Sequence, residues 1–332
     1  MSSMTTDRRY INELKPNERV EGAFAIANAQ LGKTRQDKPY LRCLISDKTG
    51  ELPGRMWSID EATFRRLPTE GFVWVEAETQ PYQGELQLII HSIDPVDPSP
   101  EQMTDLLPST ENDIGAMFDE VVEILGRLKH PAMKALAETY LADDFLMQQF
   151  RQAPAAKSMH HAYLGGLLEH TVNLMRLAER VCPLYPRINQ DLVVFGLFIH
   201  DLGKTRELIY DRTFGYSDHG ELVGHIVEGA FMLREKVQET VRRTGERMPA
   251  GAGLVLEHIV LSHHGIPEYG AAKIPGTPEA ILVSMLDNVD AKTEIALSAA
   301  RPDRASLDLG GNFTQKQWAL DSKLYRPDPL AD

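Results

Sequence analysis

Two hydrophobic rhythms divide this chain. From about residue 15 to 95, apolar and polar positions alternate in short runs broken by turn residues, as in YLRCLISD and FVWVEAETQPYQGELQLIIHSIDPV. A period of two sends successive side chains to opposite faces of a strand, so these runs predict strands, the last a hairpin around a Gly-containing turn. VEGAFAIANAQ predicts a first strand that stops before a polar turn, LGKTRQDKP. KTGEL predicts the next turn, with a further strand opening at PGRMWS. One short helical stretch, IDEATFRRL, interrupts the series, and strands at this spacing fit a small β-barrel better than a sandwich.

DPVDPSPEQMTDLLPST, rich in Pro, Asp, Ser and Thr, predicts a linker. Beyond it the period lengthens. IGAMFDEVVEILGRLKH and PAMKALAETYLAD carry apolar residues three and four apart, and Pro131 stands at the first turn of its helix, where proline is tolerated. The strand-turn-strand run YLRCLISDKTGELPGRMW resembles the core of OB-fold nucleic-acid modules. The expected architecture is therefore multidomain: a small OB-type β-barrel over residues 1–95, a linker over 96–112 and an all-α domain over 113–300. A polar, loosely packed extension is expected over 301–332.

Composition narrows the class. With 332 residues, 42% of them hydrophobic, the chain can bury two cores. A formal charge of −13 argues against a broad cationic coat for nucleic acid, although a local basic strip or bound cations would suffice for one. Only two cysteines are present, so neither a disulfide framework nor a Cys-rich zinc site is expected. The N-terminus lacks an apolar signal core and no apolar run spans a bilayer, so a cytoplasmic protein with no membrane partner is expected. Homo-oligomeric assembly is left open.

The chemistry sits where apolar helices carry polar residues. DLVVFGLFIHDLGKTREL ends a strongly hydrophobic run in His200 and Asp201, with Lys204 one turn on. Buried imidazoles and carboxylates are costly unless paired or bound to a metal. His170 lies in GGLLEHTVNLMRLAERV, His225 follows Gly224, LEHIVLSHHGIPEYG supplies His258, His263 and His264, and Asp287 and Asp290 share a face of AILVSMLDNVDAK. Taken singly, each has a plain structural role: a hydrogen-bonded core imidazole, a helix-end cap, or a salt bridge between Lys204 and Asp201. Taken together, they suit a site of imidazole and carboxylate ligands, for Mn, Fe, Co, Zn or Ni. Two ions bridged by Asp201 would supply hydroxide near neutral pH and clamp a phosphoryl displacement. His258, inside an apolar helix, reads as a core histidine.

The order His170, His200-Asp201, Asp287 resembles the HD-domain metal-dependent phosphohydrolase superfamily, and the added His225 and His263-His264 resemble its binuclear members. HHAYLGGLLEHT, GLFIHDLGKTREL, GELVGH, LSHHGIPEYGAAKIPGTPEA and MLDNVDAK are most similar to the YhaM-like 3′→5′ exoribonuclease family, which also places an OB-fold module first. The resemblance covers about residues 15 to 300. It implies His170, His200, Asp201, His225, His263 and Asp287 as metal ligands, with His264 either completing the second site or contacting substrate. It implies Asp201 and Lys204 as catalytic, Lys204 neutralising phosphate. His160 and His161 would grip the scissile phosphate or base, or form an exposed helix-start pair.

The expected cofactor is a pair of divalent transition ions, with manganese first and iron, cobalt or nickel as alternatives. The expected reaction is hydrolysis of single-stranded RNA, with single-stranded DNA as a second substrate, to nucleoside 5′-monophosphates. Tyr40, Trp57 and Tyr82 could stack on bases while Lys33, Arg35, Lys38, Arg42 and Arg55 follow the backbone, although such aromatics are more often barrel core. Two alternatives compete: hydrolysis of a small nucleotide by the same metals, and a non-enzymatic single-strand-binding protein.

Overall fold

The computed structural model describes residues 8–34, 36, 38–82, 85–103, 105–157, 161–210, 214–301, 312–314 and 316–330. By contacts, the chain divides into two compact units. One runs through Ser109 and takes in the chain from Leu297; the other holds Thr110–Tyr210 and Phe214–Ala296.

The first unit is a closed barrel of β1 (Arg19–Lys33), β2 (Pro39–Asp47), β3 (Gly50–Trp57), β4 (Gly71–Tyr82) and β5 (Glu85–Pro95), in the order β1-β2-β3-β5-β4. All neighbours are antiparallel except β3 and β5, which meet in parallel over Gly54 and Arg55 alone. Inward positions of the alternating runs form its core, among them Phe24, Ile26, Leu41, Ile45, Val73, Val75, Leu88 and Ile90. Helix α1 (Glu61–Arg66) lies between β3 and β4, capped by Asp60.

β1 runs three residues past Gln30, into the segment expected to turn. Its first half pairs with β4 and its second with β2, and the register shifts between Ala27 and Gln30, where Asn28 takes a φ of 54°. That bulge bends one strand to serve two partners. The sequence hid it because the second half carries polar residues on both faces. β3 likewise starts at Gly50, ahead of the expected PGRMWS, and the tip of the β4–β5 hairpin lies outside the described residues.

After α2 (Pro100–Met103), the second unit comprises α3 (Ile114–Gly126), α4 (Pro131–Leu141), α5 (Asp144–Gln152), α6 (Gly166–Val181), α7 (Gln190–Ile199), α8 (Lys204–Glu207), α9 (Asp218–Val223), α10 (His225–Thr244), α11 (Ala250–Ser262) and α12 (Pro278–Ala300). Asp113, Asp143, Asn189 and Ser217 each accept a hydrogen bond from a backbone N–H in the first turn of the helix they precede, and so begin α3, α5, α7 and α9. α7 is buried from Leu192 to Ile199 and forms the axis of the core. Tyr140 and Phe150 pack edge-on against Phe198 beside it. The unit is not purely helical: β6 (Leu208–Ile209) and β7 (Gly215–Tyr216) form a short ribbon between α8 and α9.

The polar tail after α12 folds on itself where it is described. Phe313 pairs with Tyr325 and Gln317 with Ser322. Among the described residues, no helix is long and apolar enough to cross a membrane.

Candidate metal centre

Five elements of the helical unit converge on Asp201. His170 projects from the second turn of α6, His200 caps the C-terminus of α7 and Asp201 follows it. His225 opens α10, His263 caps the end of α11 beside His264, and Asp287 comes from the middle of α12. The turn carrying His200 and Asp201 lies hard against the start of α10: a Cβ at Gly203 would stand 2.1 Å from the His225 carbonyl oxygen. Only glycine permits that approach.

Asp201 divides its oxygens. Oδ2 accepts a hydrogen bond from Lys204 Nζ at 2.7 Å and lies 3.3 Å from His200 Nε2 and 3.8 Å from His170 Nε2. Oδ1 lies 3.5 Å from His225 Nε2 and 3.4 Å from His263 Nε2. Asp287 Oδ1 stands 3.2 Å from His170 Nε2. Two clusters of potential ligand atoms result, each with its atoms within 4.8 Å of one another: His170, His200 and Asp287, and Asp201, His225, His263 and His264.

Every imidazole in these clusters is oriented through Nδ1. His170 Nδ1 pairs with Asp290 Oδ2 at 2.7 Å, and His225 Nδ1 with Glu207 Oε1 at 2.9 Å. His200 Nδ1 donates to the Leu197 carbonyl at 2.7 Å, His263 Nδ1 to Val260 at 2.8 Å and His264 Nδ1 to Tyr269 at 2.6 Å. A proton on Nδ1 leaves the Nε2 lone pair free to bind a metal. His200 and His263 use the same device: each sits at a helix C-terminus, where carbonyls lack intrahelical partners. Yet Nε2 of His200, His225 and His263 and Oδ1 of Asp201 are buried and make no hydrogen bond. Each such atom costs about 1–3 kcal/mol left unsatisfied. A divalent ion would satisfy them: two ligands at about 2.1 Å from one ion stand roughly 3.0–3.4 Å apart, close to the separations of 3.2–3.5 Å seen for the nearest pairs.

The electrostatics prepare most of this donor set. Burial lowers the pKa of His225 and His263, and burial with the neighbouring His263 brings His264 down to about 4, so these rings stay neutral. Burial opposes charge on Asp201, but Lys204 and His200 outweigh it and hold the carboxyl well below the usual range. His170 is the exception. Burial works against its charge, yet Asp287 and Asp290 overcome that and raise it to about 9, so an ion would displace a proton there. His225 and Asp287 retain 12% and 14% side-chain exposure and His264 is also only partly buried, so these three form the open rim of a centre whose other members are buried.

The barrel carries a separate feature. Tyr40 and Trp57 are paired across β2 and β3 with rings 5.2 Å apart, and Arg55 stands 6.0 Å from the Trp57 ring and 5.3 Å from that of Tyr82. Trp57 and Tyr82 are each 47% exposed, so neither is barrel core. Arg42 is bonded to Gln30, and Lys33 and Lys38 flank the β1–β2 turn. Arg35 lies outside the described residues.

An HD-domain family model matches residues 167–292, which span the centre from α6 to α12. The chain is 31% identical over 325 residues to the 3′-5′ exoribonuclease YhaM of Shouchella clausii, covering 96% of each chain. It is 31% identical over 317 residues to that of Geobacillus sp. (93% of this chain, 92% of the relative), and 28% identical over 321 residues to that of Bacillus subtilis (93% and 95%). The chain belongs to the YhaM family of 3′-5′ exoribonucleases.

Within this YhaM-family chain, the structure brings together all seven residues expected as ligands and places Lys204 beside them. It does not offer His161 as an exposed residue: the ring is 3% exposed, bonded to Asp290 Oδ2 at 2.9 Å and to the Tyr163 hydroxyl at 2.6 Å. His160 lies outside the described residues. His258 is not plain core either, since its Nε2 accepts a hydrogen bond from Gly276 N at 2.7 Å. Sequence reasoning missed Glu207, which bonds both the ring and the backbone N–H of His225 at 2.9 Å. No pattern in the sequence marks it, because it lies in the short polar run KTRE.

Proposed function

We propose that this chain is a metal-dependent 3′→5′ exoribonuclease that hydrolyses single-stranded RNA to nucleoside 5′-monophosphates. The observation that carries it is the convergence of Nδ1-oriented imidazoles on the two oxygens of one buried carboxylate. Asp201 would be shared between two ion sites, one completed by His170, His200 and Asp287 and the other by His225, His263 and His264. When bound, a pair of divalent ions lowers the pKa of water and stabilises charge on a transferring phosphoryl group. Manganese is the expected metal, with iron, cobalt or nickel as alternatives, because the set pairs imidazoles with carboxylates and has no thiolate.

Lys204 keeps a cation beside the carboxylate: burial disfavours its charge, but Asp201 more than restores it. There it would offset negative charge developing on the phosphate. The buried helical packing around His170, His200 and His263 excludes water from the rest of the centre. Trp57, Tyr82, Tyr40 and Arg55 would stack on unpaired bases, with Lys33 and Lys38 following the phosphates. Two buried, unbridged cysteines, Cys43 and Cys182, fit a reducing, cytoplasmic setting.

The test is incubation with 3′-tailed single-stranded RNA and Mn²⁺, against a chelator control, with products resolved by size. A ladder shortening from the 3′ end with mononucleotide release is expected, and its absence would remove the exonuclease assignment. Asp201→Ala should lose bound metal and activity together. If that variant kept full metal and activity, Asp201 would have no bridging role.

A further inference from the structure

Behind His170 lies a hydrogen-bonded chain that the hydrolytic reading does not use. Asp290 Oδ2 pairs with His170 Nδ1 at 2.7 Å and with His161 Nε2 at 2.9 Å, and His161 Nδ1 pairs with the Tyr163 hydroxyl at 2.6 Å. One protonation pattern that satisfies all three contacts has Tyr163 donating to His161 Nδ1 and both histidines donating to Asp290. Once an ion displaces the Nε2 proton, this pattern leaves His170 Nε2 as a lone pair facing Asp287 and Asp201. The backbone is committed to this arrangement. His161 holds a φ of 47°, a conformation that L side chains adopt at a cost. Its carbonyl accepts from Ala155 N at 3.1 Å and Tyr163 N at 2.9 Å, and a Cβ at Gly166 would stand 2.1 Å from that oxygen.

We propose that His161 is a positioning residue: acting through Asp290, it fixes the His170 ring for the ion shared with His200 and Asp287. This rests on the two-ion reading above and reassigns His161 from substrate contact. Asp290 Oδ2 shared by two ring nitrogens is held more firmly than an oxygen bonded to His170 alone. The same three groups could be taken for a third ion site, since their ligand atoms lie close together. That arrangement needs metal on both nitrogens of His170 and breaks two hydrogen bonds already made, so the positioning role is favoured.

The experiment titrates metal-free protein with Mn²⁺ alone, by calorimetry with metal analysis, and compares wild type with His161→Leu, His161→Gln and Asp287→Ala. Leu and Gln meet the same backbone conformation at 161, but Gln can donate to Asp290 and accept from Tyr163. Wild type is expected to bind two ions. His161→Leu should weaken by about 10–100-fold only the ion that Asp287→Ala removes, and His161→Gln should regain most of that affinity. Wild-type protein that takes up no ion would sink the two-ion reading itself. Two ions bound with unchanged affinities in His161→Leu would overturn this inference and leave that reading standing. Three ions in wild type, with one lost in His161→Leu, would make His161 a ligand and also overturn it. If both position-161 variants fail to fold, Tyr163→Phe decides. A weakened Asp287-dependent ion there supports the chain, and wild-type affinities refute it.

Discussion

Replacing Trp57 by Ala tests the barrel's proposed contact with RNA. The exposed half of this ring is what a base would stack on, and Arg55 beside it adds a cation. Stacking contributes about 1–3 kcal/mol per base, so Kd for single-stranded RNA should rise roughly 5- to 150-fold. The buried half, about 100 Å² of a side chain that covers some 200 Å², contributes at most about 2.5 kcal/mol to folding. The variant should therefore melt earlier yet remain folded at assay temperature. Fluorescence anisotropy with a labelled oligonucleotide measures the affinity, with cleavage suppressed by a chelator. Turnover of a dinucleotide too short to reach past the metal centre should be unchanged under Mn²⁺. Wild-type affinity for long RNA in folded Trp57→Ala, and again in Tyr82→Ala, would refute the stacking face.

Three further outcomes follow from the geometry. Chelation should lower the melting temperature of the protein, because an ion at 100 times its Kd stabilises by about 2.7 kcal/mol; equal melting curves with Mn²⁺ and with chelator would contradict ion binding. Glu207→Gln keeps the shape of the side chain but loses the charged acceptor of His225, so one ion should weaken about 10–100-fold in calorimetry while the His170-dependent ion is retained; equal weakening of both would show a general structural defect. Glu228 is buried, and although burial opposes its charge, His219 and Arg206 hold its pKa below the ordinary 4.5. Its stabilisation is complete above that unfolded value and is lost as pH falls through the lower folded value. Melting curves of wild type and Glu228→Gln should therefore differ at pH 7 and converge in acid; a gap that persists in acid would contradict the linkage.

The residues of the centre were legible because they violate the pattern around them. His170, His200 and Asp287 interrupt helices whose other buried positions are mostly apolar, and a charged or imidazole group in such a place needs a partner. Glu207 was not legible, because it lies in a short polar segment, KTRE, where a carboxylate looks like surface. The burial of His161 was hidden for the complementary reason. It sits in a loop, HHAYLGG, and loops are usually exposed; only the left-handed backbone and the packing of Gly166 bury it. The same asymmetry holds in the barrel. Phe24 and Ile45 announced the core by alternation, whereas the second half of β1 is two-sided and polar, and its pairing depends on a bulge at Asn28 with no hydrophobic signature.

The way the five histidines are aimed has a consequence for how the centre can change over generations. His200, His263 and His264 lean on main-chain carbonyls, which no substitution can remove. His170 and His225 lean on side chains, Asp290 and Glu207, and each of these belongs to a different half of the proposed ion pair. Each half thus has one adjustable support and otherwise invariant ones. Drift or engineering aimed at metal preference can act on one half at a time, at position 290 or 207, with every ligand left in place.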